Sequence, residues 1–161
     1  MSNSYPVINL LKYYDGKLAY YMERQDVVEA MILKALQWLS EGLTTQGWVG
    51  VKNPADLVAH VLEDMELLVV DEKTLVAYSI VGPWFMQGTM VAEDFMAPVA
   101  DTPAPIDLVV EALRAVGAAN GCAHLSIGTR ANPRQQGLAR LIEQSGCRLS
   151  TIELIQDIPN G

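Results

Sequence analysis

The sequence predicts an α/β fold of the α+β type. It reads as a mixed central β-sheet of about six strands flanked by four helices, in the order (β)ααβββαβαβ. Three observations predict this. Stretches with apolar residues at i, i+3 and i+4 alternate with short β-branched runs. Capping residues, glycines and prolines punctuate both kinds of stretch. The composition is that of a packed chain, since 50% of the 161 residues are hydrophobic and 19% are charged. That length buries a core without disulfides or a metal, and residues 1–161 read as one domain.

Val7–Leu11 is a candidate opening strand. The following stretch, with Tyr13, Tyr14, Tyr20 and Tyr21, fits neither period, so residues 1–25 otherwise stay unassigned. The first helix is expected from Asp26, a good N-cap, to Glu41, with Val28, Met31, Ile32, Ala35, Leu36 and Leu39 on one face and Gly42 as its stop. Asn53-Pro54-Ala55-Asp56 opens the second helix as cap, first-turn proline and first-turn carboxylate. Leu57, Val58, Val61, Leu62 and Met65 form its apolar face.

Three strands follow: Leu67–Val70, Thr74–Val81 and Thr89–Phe95. Asp71-Glu72-Lys73 makes the first turn, and Gly82-Pro83 with Gln87-Gly88 makes the second, so an antiparallel meander is expected. Ile106–Ala119 is the third helix, ended by Asn120-Gly121, and Ala123–Gly128 the next strand. Asn132-Pro133 with Gln135 resembles a capping box opening the fourth helix, which Gly146 closes. Leu149–Ile158 is the expected last strand. The Ala123–Gly128 strand should run parallel to the third strand of the meander, beside it.

The formal net charge is −8, so nucleic acid and anionic membrane surfaces are poor partners. Cys122 and Cys147 are too few for a disulfide scaffold, and His60 and His124 lack ligand spacing, so no metal site is expected. No window approaches the length of a membrane span, and Met1–Pro6 has no secretory character, so a reducing cytoplasm is the expected location. Trp38, Trp48 and Trp84 read as core or groove aromatics.

The element order and the fourth helix resemble the GNAT N-acyltransferases. In that family this helix often reads Asn-x-x-Ala-x-x-Leu-Tyr-x-x-x-Gly-Phe. Here the stretch is Gln136-Gly137-Leu138-Ala139-Arg140-Leu141-Ile142-Glu143-Gln144-Ser145-Gly146-Cys147. Ala139, Leu141, Glu143 and Gly146 match, while Gln136, Ile142 and Cys147 replace the asparagine, tyrosine and aromatic. By pattern the resemblance covers about residues 26–158. It implies acetyl-CoA or CoA as cofactor, with Phe95, Ala97, Ile106 and Arg134 at cofactor-binding positions.

The family holds the pyrophosphate with a Gln/Arg-x-x-Gly-x-Gly/Ala loop before the third helix. Here that place holds Met96 to Ile106, with no glycine, no cation, three prolines and Asp101. Ile142 cannot replace the family's proton-donating tyrosine. His124, sharing a strand face with Ser126, is the substitute acid, or else a hydrogen-bonded half-buried histidine. Glu93 or Asp94 is the base, Glu93 foremost, or else an exposed strand carboxylate; strand alternation lets only one of the two face the cleft. Two functions follow from the resemblance. One is an acetyl-CoA-dependent N-acyltransferase with a divergent cofactor loop. The other is an inactive interaction or assembly module with a protein partner or as a homo-oligomer, similar to the acetyltransferase-like virion or accessory proteins of short-tailed bacteriophages. The second would make the protein virion-associated.

Overall fold

The computed structural model describes residues 6–159. Its elements are β1 (Val7–Tyr14), β2 (Lys17–Arg24), α1 (Gln25–Thr45), α2 (Pro54–Asp64), β3 (Glu66–Val70), β4 (Thr74–Val81), β5 (Met90–Pro98), α3 (Ile106–Ala119), β6 (His124–Ser126) and α4 (Gln135–Gln144). One mixed sheet of six strands, in the order β2-β1-β3-β4-β5-β6, carries four helices, as expected for the α+β class. The pairs β1/β2, β3/β4 and β4/β5 are antiparallel, whereas β1/β3 and β5/β6 are parallel. The meander and the parallel β5/β6 pair are those read from the sequence.

Strand alternation divides the core between the two faces of the sheet. Leu10, Leu67, Val69, Leu75, Ala77, Phe95 and Ala97 pack against Val28, Ile32, Ala35 and Leu36 of α1 and Val61 of α2. Leu11, Tyr13, Leu68, Val70, Val76, Tyr78 and Val91 pack against Val109, Ala112, Leu113 and Val116 of α3. Strands β3 and β4 lie under helices on both faces, which is why Leu67–Val70 and Leu75–Tyr78 are apolar at every position.

Several elements differ from expectation. The Tyr-rich stretch is a hairpin, β1–β2, turning at Asp15 and Gly16 with φ of 52° and 73°. It was unreadable because β2 is an edge strand whose residues are mostly exposed on both sides, so no alternation marks it. Leu149–Ile158 is not a strand. It lies in irregular structure with Leu149, Ile152, Leu154, Ile155 and Ile158 exposed, and no strand pairs with it. β-branched composition supplies propensity, but a strand exists only through its ladder. Six strands result because β2 takes the place of the expected last one.

Helix boundaries moved for identifiable reasons. Asp26 is not the cap of α1; Arg24 occupies that position, and Asp26, in the first turn, is gripped by the Arg24 guanidinium at 2.6 and 3.1 Å. Gly42 does not stop α1. Gly47, with φ of 92°, does, through the Schellman bonds Trp48 N–H to Leu43 C=O and Gly47 N–H to Thr44 C=O, both 3.1 Å. Asn53 caps α2 as expected, accepting from Ala55 N at 3.0 Å. Asn132 does not cap α4: it accepts from Arg134 N at 2.9 Å in the turn before the helix, Arg134 takes the cap position without a side-chain bond, and α4 begins at Gln135. Gly146 is the C′ residue of α4 with φ of 100°, and Cys147 N–H to Ile142 C=O (3.3 Å) and Gly146 N–H to Glu143 C=O (3.0 Å) complete its Schellman motif. The meander's third strand runs on to Pro98, and β6 shrinks to His124–Ser126.

Candidate functional site between β5 and β6

The site begins with a β-bulge. Along β4, Ala77 faces Phe95 but Tyr78 faces Glu93, so Asp94 is an extra residue on β5. On its other edge β5 pairs with β6 only over Met90–Ala92. Beyond Ala92 the two strands part, and Glu93 stands where they separate. Its carboxylate accepts a hydrogen bond from Gly128 N at 2.8 Å, which ties β5 to the chain leaving β6. Burial pushes the Glu93 carboxyl up to about 7, opposed by the Gly128 bond, reinforced by the Asp94 charge and opposed again by Arg130. A carboxyl half-ionised near neutral pH can take or give a proton. Asp94, the alternative base, is exposed and accepts from Ser79 Oγ at 2.6 Å.

Strand register adds neighbours that the sequence did not reveal. Glu66 faces Tyr78 across β3/β4, and Tyr78 faces Glu93 across β4/β5, giving a row of acid, phenol and acid. Tyr78 is 4% exposed, and burial, with Glu66 and Tyr20 nearby, pushes its hydroxyl up to about 12. It therefore stays a proton donor at any ordinary pH.

The other expected site residues do not converge on Glu93. His124 faces Met90, three residues before Glu93, or about 10 Å of strand rise. Its neighbour Leu125 packs on the α3 side, so His124 and Ser126 point to the opposite face, where both are exposed. His124 and Glu93 are thus not an acid–base pair across one cleft. Phe95 and Ala97 are core residues, 6% and 1% exposed, packed toward α1 and α2, so only their backbone could meet a ligand. Ile106 is partly buried at the first position of α3. Arg134 is exposed at the start of α4. Ile142 is buried, 6% exposed, and supplies no hydroxyl.

The segment between β5 and α3 does not fit a pyrophosphate. Two of its N–H groups, and two at the start of α3, are already engaged: Val99 with Lys73 C=O, Ala104 with Thr74 Oγ1, and Leu108 and Val109 with Pro105 C=O. Pro98, Pro103 and Pro105 contribute none. Asp107 joins Asp101 as a second like charge. The fold does bring in one cation that local sequence could not show: Lys34 Nζ of α1 reaches Val99 C=O at 3.2 Å. One ammonium already bonded to a carbonyl does not replace a glycine-shaped cradle.

Among the described residues no group of three His, Cys, Asp or Glu side chains could hold a metal ion, and no helix is long and apolar enough to cross a membrane. Trp38 and Trp48 are partly buried as expected, with Arg130 stacked 5.7 Å over the Trp48 ring, but Trp84 is 95% exposed. No protein-family model, no curated protein and no solved structure matches this chain.

Proposed function

We propose that this chain is an interaction or assembly module built on a GNAT-like acyltransferase scaffold, docking a protein partner through the tip of the β4–β5 hairpin. One observation carries the reading. Trp84 and Phe85 stand 95% and 67% exposed in that tip, edge-to-face with ring centroids 5.6 Å apart. Ile80 and Val81 extend the apolar surface into β4. Two such aromatics offer roughly 300 Å² of apolar surface, worth about 7 kcal/mol gross when buried. Association costs consume much of that, yet the remainder suffices for an anchor of the kind that dominates interfaces. A virion or accessory assembly of a short-tailed bacteriophage is the setting that the family resemblance suggests.

Glu93 favours a second reading, acyl transfer to an amine, in which its carboxylate would take the proton of the attacking nitrogen. The misfit of the β5–α3 segment to acetyl-CoA weighs against it. Calorimetry separates the two. The module reading expects acetyl-CoA and CoA to bind no tighter than millimolar, about −4 kcal/mol. It also expects Trp84→Ser/Phe85→Ser to weaken a purified, reconstituted partner complex, or self-association in sedimentation, at least tenfold with the melting temperature unchanged. Micromolar acetyl-CoA binding, or a complex indifferent to the double substitution, overturns it.

A further inference from the structure

The sheet has a second open gap, at the end opposite the shared edge of β5 and β6. Parallel pairing of β1 with β3 begins only at Leu11–Leu68, so Ile8 to Leu10 run beside Glu66 and Leu67 without a ladder. A cavity of about 190 Å³ fills this gap, room for about six waters. Ile8, Leu11, Leu62, Met65 and Leu67 give it an apolar floor. Its polar lining is Asn9, Tyr20, Glu63, Glu66 and Tyr78, with no lysine or arginine.

Tyr78 distinguishes this cavity from a chance surface dent. The residue is 96% withdrawn from solvent, at 4% exposure, yet its hydroxyl has no hydrogen-bond partner among the described residues. No buried side-chain oxygen or nitrogen is left without a partner among those residues, so this hydroxyl opens into the cavity it lines. Glu66 faces Tyr78 in register, and Glu63, exposed like Glu66, belongs to the last turn of α2 at the rim of the cavity. Two carboxylates, a phenol oxygen and the exposed Tyr20 ring together make a negative, partly apolar recess in a chain of net charge −8.

We propose that this β1–β3 cavity binds an alkylammonium group, the nitrogen held by Glu66 and the Tyr78 hydroxyl and the stem lying against Leu11 and the Tyr20 ring, which share their face of the sheet. An ammonium supplies donors to the Glu66 carboxylate and the Tyr78 oxygen, neither of which has a protein donor among the described residues, and the Tyr20 ring adds cation–π attraction. The inference does not depend on the docking function proposed above, because the hairpin tip and this cavity share no residue. A free amine and a lysine side chain of another protein carry the same group.

The test is an NMR titration of the intact, labelled protein with n-butylammonium chloride, with n-butanol and butyrate as neutral and anionic isosteres. Saturable shifts confined to Asn9, Tyr20, Glu66 and Tyr78 are expected for butylammonium alone. Glu66→Gln should weaken binding roughly fivefold, the loss of one partly exposed ion pair, and raised salt should weaken it further. Tyr78→Phe, which keeps the buried ring, should weaken it with the fold intact. A parallel titration with acetyl-Gly-Lys-Gly-amide identifies the source: tighter binding than butylammonium assigns a lysine side chain, weaker binding a free amine. Equal shifts with butanol, shifts outside the cavity, or unchanged affinity in folded Glu66→Gln overturn the proposal.

Discussion

Gly42 of α1 and Ala131 of the chain before α4 are in backbone contact: a Cβ placed on Gly42 would overlap the Ala131 carbonyl oxygen. Ala131 cannot retreat. It is wholly buried, holds φ of 67°, and its N–H is bound by Gln46 Oε1 at 3.1 Å while Gln46 Nε2 donates to Asn132 C=O at 3.0 Å. Mid-helix glycine costs about 1 kcal/mol against alanine, so propensity alone favours Gly42→Ala. The overlap wins, and we expect the substitution to destabilise by about 2 kcal/mol net. Urea denaturation decides the matter, since any gain in stability would mean the two backbones do not touch.

Thr74 is the buried polar side chain of the core, 4% exposed, and its Oγ1 accepts from Ala104 N at 2.8 Å. Thr74→Val keeps the shape and strips the acceptor from a buried N–H, a loss of about 1–3 kcal/mol. Amide exchange at Ala104 should accelerate with it. Unchanged exchange there would show that the bond does not hold the segment before α3.

Glu93 should make stability fall with rising pH. Its folded pKa, about 7, lies above the usual 4.5, so the native state binds the extra proton between those values. That contribution is full below about 4.5 and lost as pH rises through 7. Glu93→Gln keeps an acceptor for Gly128 N without the charge. We expect it near neutral at pH 5 and stabilising by about 2 kcal/mol at pH 8. Thermal melts at both pH values check this, and a pH-independent difference would sink it.

Gly146→Val puts a β-branched residue at a φ of 100°. Nothing crowds the position, so the cost is backbone strain and not a clash. We expect more than about 1 kcal/mol of destabilisation. Gly146→Ala should lie between the two, an ordering that a neutral valine would refute in chemical denaturation.

What was legible followed from local signals. Asn53-Pro54, Asp71–Lys73 and Gly146 each act through residues a few positions away, and the sequence shows all of them. Gly42 misled because a stop glycine and a packing glycine look alike until Ala131, far off in sequence, is brought against one of them. The β2 hairpin hid because an exposed edge needs no alternation. Leu149–Ile158 looked like a strand because propensity is local whereas pairing is not. Glu93 was legible as a carboxylate on a strand. Its pKa, its Gly128 partner and its neighbour Tyr78 all depend on the bulge at Asp94, which no residue type announces.

That bulge also determines which lengths the gene can tolerate. Val91 and Phe95 are an even number of residues apart yet lie on opposite faces of the sheet, because Asp94 inserts a half-step between them. A codon deletion at Asp94 would remove the half-step and still leave Val91 and Glu93 on the α3 side and Phe95 and Ala97 on the α1 side. A deletion at Met96 has no such escape, because either Phe95 or Ala97 must then turn to the α3 side and put the wrong side chain into a filled layer. The hairpin tip just upstream, where Gly82, Gln87 and Gly88 lie exposed, has no such parity to keep. Length variation among natural versions of this chain should therefore collect at residues 82–88 and, within 90–98, at Asp94 alone.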